Sequence, residues 1–139
     1  MTNEPIQEDV QLASPLPVII SGLVNGVIFC VVWYMAFKNH VEPSRSQLFT
    51  LNVGFLLSTI VIAQIFFRRT IATQVTFVKL WVAGWMSSLF FALVVSIFYH
   101  YFFPTIDMKP PSFTQVLISY NTMGLVISAI VSFFITRIK

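Results

Sequence analysis

Charge is what this sequence has least of. Only 9% of its 139 residues are Asp, Glu, Lys or Arg, against about 25% in a soluble domain. Hydrophobic residues make up 57%, and the mean hydropathy is +0.84. Too few charged groups exist to cover a water-facing surface, which excludes an ordinary soluble fold. Cysteine is almost missing as well. Cys30 alone closes no internal disulfide, and its place in an apolar run marks it as a small buried hydrophobe.

Other absences narrow the function. No Gly-rich phosphate loop, His/Glu metal motif or nucleophile elbow occurs, so neither enzymatic activity nor a cofactor is expected. No Asp, Glu, Lys or Arg falls near the middle of an apolar stretch. Ion-coupled transport usually needs a charge there to bind and release its ion, which argues against coupled transport and leaves passive conduction open. The net charge of +3 comes from basic residues at the ends of apolar runs. Lipid headgroups lie at that level, so a nucleic-acid partner is not expected.

The first fifteen residues carry Glu4, Glu8 and Asp9 and no Lys or Arg. A secretory signal begins with positive charge and ends at a small-residue cleavage site. Residues 1–15 are therefore predicted to be a flexible acidic cytoplasmic tail, and Leu16 to open a retained span.

What remains is four apolar stretches, at about 16–37, 48–67, 77–103 and 114–136. Each is long enough to cross a bilayer, which takes roughly 20 helical residues. The fold class predicted is all-α: an integral membrane protein forming one antiparallel bundle of four transmembrane helices. Arg68 and Arg69 are predicted to stop the second span. The third stretch exceeds the hydrocarbon thickness and must tilt or protrude. An even number of spans puts both termini on one side. That side holds Arg68, Arg69, Lys79, Arg137 and Lys139, against Lys38, Arg45 and Lys109 on the other. The positive-inside rule then favours cytoplasmic termini. Arg68, Arg69 and Lys79 are candidate contacts for lipid headgroups.

Small residues recur at every fourth place in each span. Gly22, Gly26 and Cys30 do so in the first, and Gly54 and Ser58 in the second. Gly84, Ser88, Ala92 and Ser96 do so in the third, and Gly124, Ser128, Ser132 and Thr136 in the fourth. Residues four apart share a helix face. Small side chains let two backbones approach, and close packing holds helices together in lipid. These stripes are expected to be helix-packing faces; the other use is a groove for a lipid tail or a partner helix. Asn25, Asn52, Gln64, Tyr120 and Asn121 are polar groups inside the spans. They are expected to bond between helices; Asn25, Asn52 and Asn121 could instead line a polar cavity. His40 and His100 have no ligand-type neighbour at helical spacing, and read as interfacial residues rather than an outer-face metal or proton pair.

Two stretches resemble a known family. "TFVKLWVAGWMSSLFFALVVSIFYHYFF" is similar to the third span of a large family of small four-span bacterial membrane proteins, domain of unknown function 4199. Phe77, Lys79 and Gly84 match its entry pattern, although Val78 stands where members usually have Gly. "GLVISAIVSFFITRIK", opened by Gly124, resembles the family's last span. The resemblance implies a four-helix protein of the bacterial inner membrane and carries no activity. The small-residue faces and the absence of a midplane charge lead to the expectation of a small non-enzymatic structural or accessory subunit, surrounded by lipid and packing on itself or on a larger membrane complex. The other reading is an oligomeric passive carrier or channel for a small neutral or lipid-like solute.

Overall fold

A computed structural model describes residues 14–39, 44–70, 75–102 and 112–137. Residues 1–13 of the expected tail, His40, Lys109 and Lys139 lie outside these segments. The described chain forms four helices: α1 (Leu16–Lys38), α2 (Arg45–Thr70), α3 (Phe77–Phe102) and α4 (Phe113–Arg137). All four are long and apolar enough to cross a membrane. In lipid the backbone has no water to bond, so each segment must satisfy its own N–H and C=O groups, and a helix does this along its length.

The helix starts are built by side chains. Ser44 N donates to Gln47 Oε1 (2.9 Å), and Gln47 N donates back to Ser44 Oγ (3.3 Å). Ser112 and Gln115 repeat this exchange at 3.0 and 3.2 Å. Both are capping boxes, which satisfy backbone donors that a helix start leaves orphaned. The Ser44 box explains why α2 starts at Arg45, before the apolar run begins at Leu48. At its other end α2 runs through Arg68 and Arg69 to Thr70, past the expected stop. Arginine is a good helix former, and its long side chain reaches polar surroundings without ending the helix.

Neighbours in sequence run antiparallel, and alternate helices run parallel. Ser21 and Gly26 of α1 meet Ser87 and Val94 of α3 in the same order. Asn52 and Gln64 of α2 meet Tyr120 and Ser128 of α4 in the same order. α2 and α3 each pack on all three other helices, while α1 and α4 do not pack on each other. Half of the α3 span is buried, against 28–33% for the other spans. With 26 residues, α3 is about 39 Å long, longer than a hydrocarbon core of about 30 Å.

Polarity is arranged inside-out. Ser21, Thr59, Gln64, Ser87, Ser88, Ser96, Ser128 and Ser132 are buried, while Val27, Val31, Met35, Phe66, Ile130 and Phe134 are exposed. Water would penalise such a surface and lipid does not. Between the helices, the apolar core is filled by Phe29, Phe91, Leu56, Ile60, Leu80 and Val95, each fully buried. Phe29 meets Phe55 and Phe91 with ring centroids 5.4 and 5.5 Å apart, and Phe91 meets Tyr120 at 5.6 Å.

Candidate functional site

The polar side chains of the spans form bonds between helices, and their geometry follows from donor counting. Ser128 Oγ donates its one proton to the Trp81 carbonyl (2.7 Å), and Ser132 Oγ donates to the Ser128 carbonyl (2.6 Å). Both hydroxyls are then left with lone pairs only. Gln64 Nε2 fills them, at 3.0 Å from Ser128 Oγ and 2.9 Å from Ser132 Oγ, and also lies 3.2 Å from the Ser128 carbonyl. The committed protons require the NH₂ end of the amide to face α4. Gln64 Oε1 is buried without a hydrogen-bond partner.

Two indole donors tie α3 to α4. Trp81 Nε1 donates to the Leu125 carbonyl at 3.1 Å, and Trp85 Nε1 to Asn121 Oδ1 at 2.8 Å. Tyr120 donates its hydroxyl to Asn52 Oδ1 of α2 at 2.6 Å. On the other side of α3, Ser87 and Ser21 of α1 share a 2.7 Å hydroxyl bond. The three asparagines do not converge. Asn52 and Asn121 are each engaged by an aromatic donor. Asn25 lines an open groove of about 430 Å³ between α1 and α2, with Ile20, Val24, Ile62 and Phe66.

The small-residue stripes divide by helix. A Cβ on Gly22 would strike the Ser87 carbonyl and lie 2.8 Å from Phe90 Cβ; one on Gly26 would lie 2.9 Å from Val94 Cβ. The α1 stripe thus sits against α3. A Cβ on Gly84 would collide with Ser128 Oγ and Gln64 Nε2, and one on Gly124 with the Ser88 side chain. Ser88, Ala92 and Ser96 are fully buried, as are Ser128 and Ser132. The α2 stripe is different. Gly54 and Ser58 are exposed, and a Cβ on Gly54 would meet nothing within 4 Å. Thr50, Leu51, Gly54, Phe55 and Ser58 line a shallow groove there.

Comparison with protein families, with curated proteins and with solved structures finds no match. The arrangement of the chain's own residues therefore carries the functional argument.

Arg69 and Lys79 are exposed, and with Arg68 they lie at one end of the bundle. Arg68 Nη1 donates to the Ile135 carbonyl at 3.2 Å, near the end of α4. Arg137 sits over the Phe133 ring, 4.0 Å from its centroid. His100 is exposed at the opposite end of the bundle, its ring edge-on to Tyr101.

Sequence reasoning missed the pairing of Ser21 with Ser87. Ala83 and Ser87 form a second small-residue pair four apart on α3, one position before Gly84 and Ser88. That offset rotates the second face by about 100°, enough to seat α1 on one side of α3 while α4 packs on the other. The two S-x-x-Q capping boxes were also readable from sequence alone.

Proposed function

We propose that this chain is a non-enzymatic accessory subunit of a membrane assembly, associating through α2 with a second copy of itself or with another membrane protein. One observation carries the reading. Apart from the exposed Thr136 at the end of α4, the small-residue stripes of α1, α3 and α4 sit against neighbouring helices, and the Gly54–Ser58 stripe of α2 is left uncovered. A surface made only to face lipid gains nothing from a gap at Gly54, whereas a helix seeking a close neighbour does. A bacterial inner membrane with both termini cytoplasmic fits the five-to-three distribution of basic residues and the resemblance to domain of unknown function 4199.

The filled axis between Phe29, Phe91, Leu56 and Ile60 weighs against a passage through one monomer, which a passive carrier would need unless the path ran between copies. Cysteine crosslinking in the native membrane tests the proposal, with Cys30→Ala as background. Cysteines at positions 54 and 58 are expected to crosslink to a second chain, and a cysteine at the exposed Val126 is not. No crosslink at 54 or 58, together with a partner-free monomer in mild detergent, would overturn it.

A further inference from the structure

At the end of the bundle where α2 and α4 finish, a groove of about 690 Å³ opens between these two parallel helices. Its wall is apolar, formed by Val61, Ile65, Val131 and Phe134, and its mouth carries Arg68 and Arg69. From Val61 to Arg69 the groove follows α2 for about 12 Å, at 1.5 Å per residue. A guanidinium pair thus stands at headgroup level above an apolar channel as deep as the upper half of an acyl chain. Lys79 and Arg137 lie at the same end. No Asp or Glu occurs among the described residues, so the described part of this end is basic throughout.

We infer that this groove holds one anionic phospholipid, its phosphate at Arg69 and Arg68 and the first part of one chain between α2 and α4. The chemistry is specific in two ways. A guanidinium offers paired N–H donors that match a phosphate's oxygens, and basic pockets between transmembrane helices on the cytoplasmic side suit acidic headgroups. The apolar wall selects a ligand with a tail over a soluble phosphate. Arg68 serves both surfaces, since its Nη1 also holds the Ile135 carbonyl and so fixes the guanidinium over the gap between the helices. The inference stands independently of any association through α2, because neither Gly54 nor Ser58 lines this groove.

Native mass spectrometry of the detergent-purified protein tests it, with phosphatidylglycerol and phosphatidylcholine of identical chains as probes. Wild type is expected to retain phosphatidylglycerol about fivefold better, the scale of one basic contact. Arg69→Gln should bring the two lipids close to parity. Ile65→Trp, which fills the groove from an exposed position, should weaken retention of phosphatidylglycerol while leaving the helices intact. Lys38→Gln, at the other end of the bundle, should change nothing. Equal retention of both lipids by wild type would overturn the inference, as would an unchanged preference in both Arg69→Gln and Ile65→Trp. Displacement of the lipid by equimolar glycerol 3-phosphate would assign the site to a soluble phosphate instead.

Discussion

Gln64 of α2 reaches Ser132 of the parallel helix α4 with its amide nitrogen 2.9 Å from the hydroxyl oxygen, while its own carbonyl oxygen stays buried without a donor. The contact is lopsided: the nitrogen is well served and the oxygen is not. In lipid an interhelical hydrogen bond is worth roughly 0.6–1.7 kcal/mol, and a buried unsatisfied group costs about 1–3 kcal/mol.

That asymmetry ranks two variants. Gln64→Leu keeps the bulk and removes the orphaned oxygen together with the bonds, so its cost should stay below about 1 kcal/mol. The double variant Ser128→Ala/Ser132→Ala strips both hydroxyl acceptors from the amide and should cost about 2–3 kcal/mol. Unfolding in mixed micelles, followed by tryptophan fluorescence, measures both. The reverse order would show that the amide is oriented differently.

The glycines should separate sharply. Gly22→Ala drives a methyl into the Ser87 carbonyl, which is backbone and cannot rotate away. A loss of about 2–3 kcal/mol is expected, the upper range for overpacking. Gly124→Ala should cost a similar amount, about 2–3 kcal/mol, because Ser88 Cβ, fixed by its own backbone, stands in the way along with the hydroxyl. Gly54→Ala meets nothing and should be neutral or stabilising by up to about 1 kcal/mol through helix propensity. Equal effects at all three positions would remove the distinction between covered and uncovered stripes.

Tyr120 and Asn52 should be energetically coupled. A double-mutant cycle with Tyr120→Phe and Asn52→Ala is expected to return about 0.6–1.7 kcal/mol for their 2.6 Å bond. The pair Trp85→Phe and Asn121→Ala should give a similar value, since a 2.8 Å bond joins them. Pairing Tyr120→Phe with Asn25→Ala serves as the control. Asn25 lines a groove between α1 and α2, so that coupling should fall within error of zero. Coupling as large in the control would mean that the asparagines act together after all.

Ser58→Leu tests the open face of α2. Ser58 bonds only its own helix, donating to the Phe55 carbonyl at 2.8 Å, so the monomer should keep its stability within about 0.5 kcal/mol. Association, read by crosslinking through position 54, should fall. Ser88→Leu is the contrasting variant. Ser88 is fully buried against Gly124, and a leucine there should unfold the bundle before any effect on association is seen.

Much of the fold was legible because lipid leaves a chain few choices. A stretch such as "LPVIISGLVNGVIFCVVWYMAF" has no charged side chain to meet water, and its backbone must bond to itself, so helix type and approximate span follow from composition. Helix ends were less legible where hydropathy alone was read. α2 begins at Arg45 because Ser44 and Gln47 cap it, and that signal is local chemistry rather than apolar length. The candidate site was harder still. Gln64, Ser128 and Ser132 were visible as polar or small residues, but their meeting depends on α2 and α4 lying side by side.

The division has a physical cause. Hydropathy and four-residue spacing are properties of one helix, and they established four spans, each with a face that tolerates close approach. Which face meets which neighbour is a property of pairs. α3 became the centre because Ser87 and Ser88, adjacent in sequence, point about 100° apart and admit α1 on one side and α4 on the other. Gly54 has the same local signature as Gly84, yet one ends up open and the other lies against Ser128 and Gln64. The shared Gly-x-x-x-Ser spacing could not tell them apart, because the difference lies in the helices that pack around them.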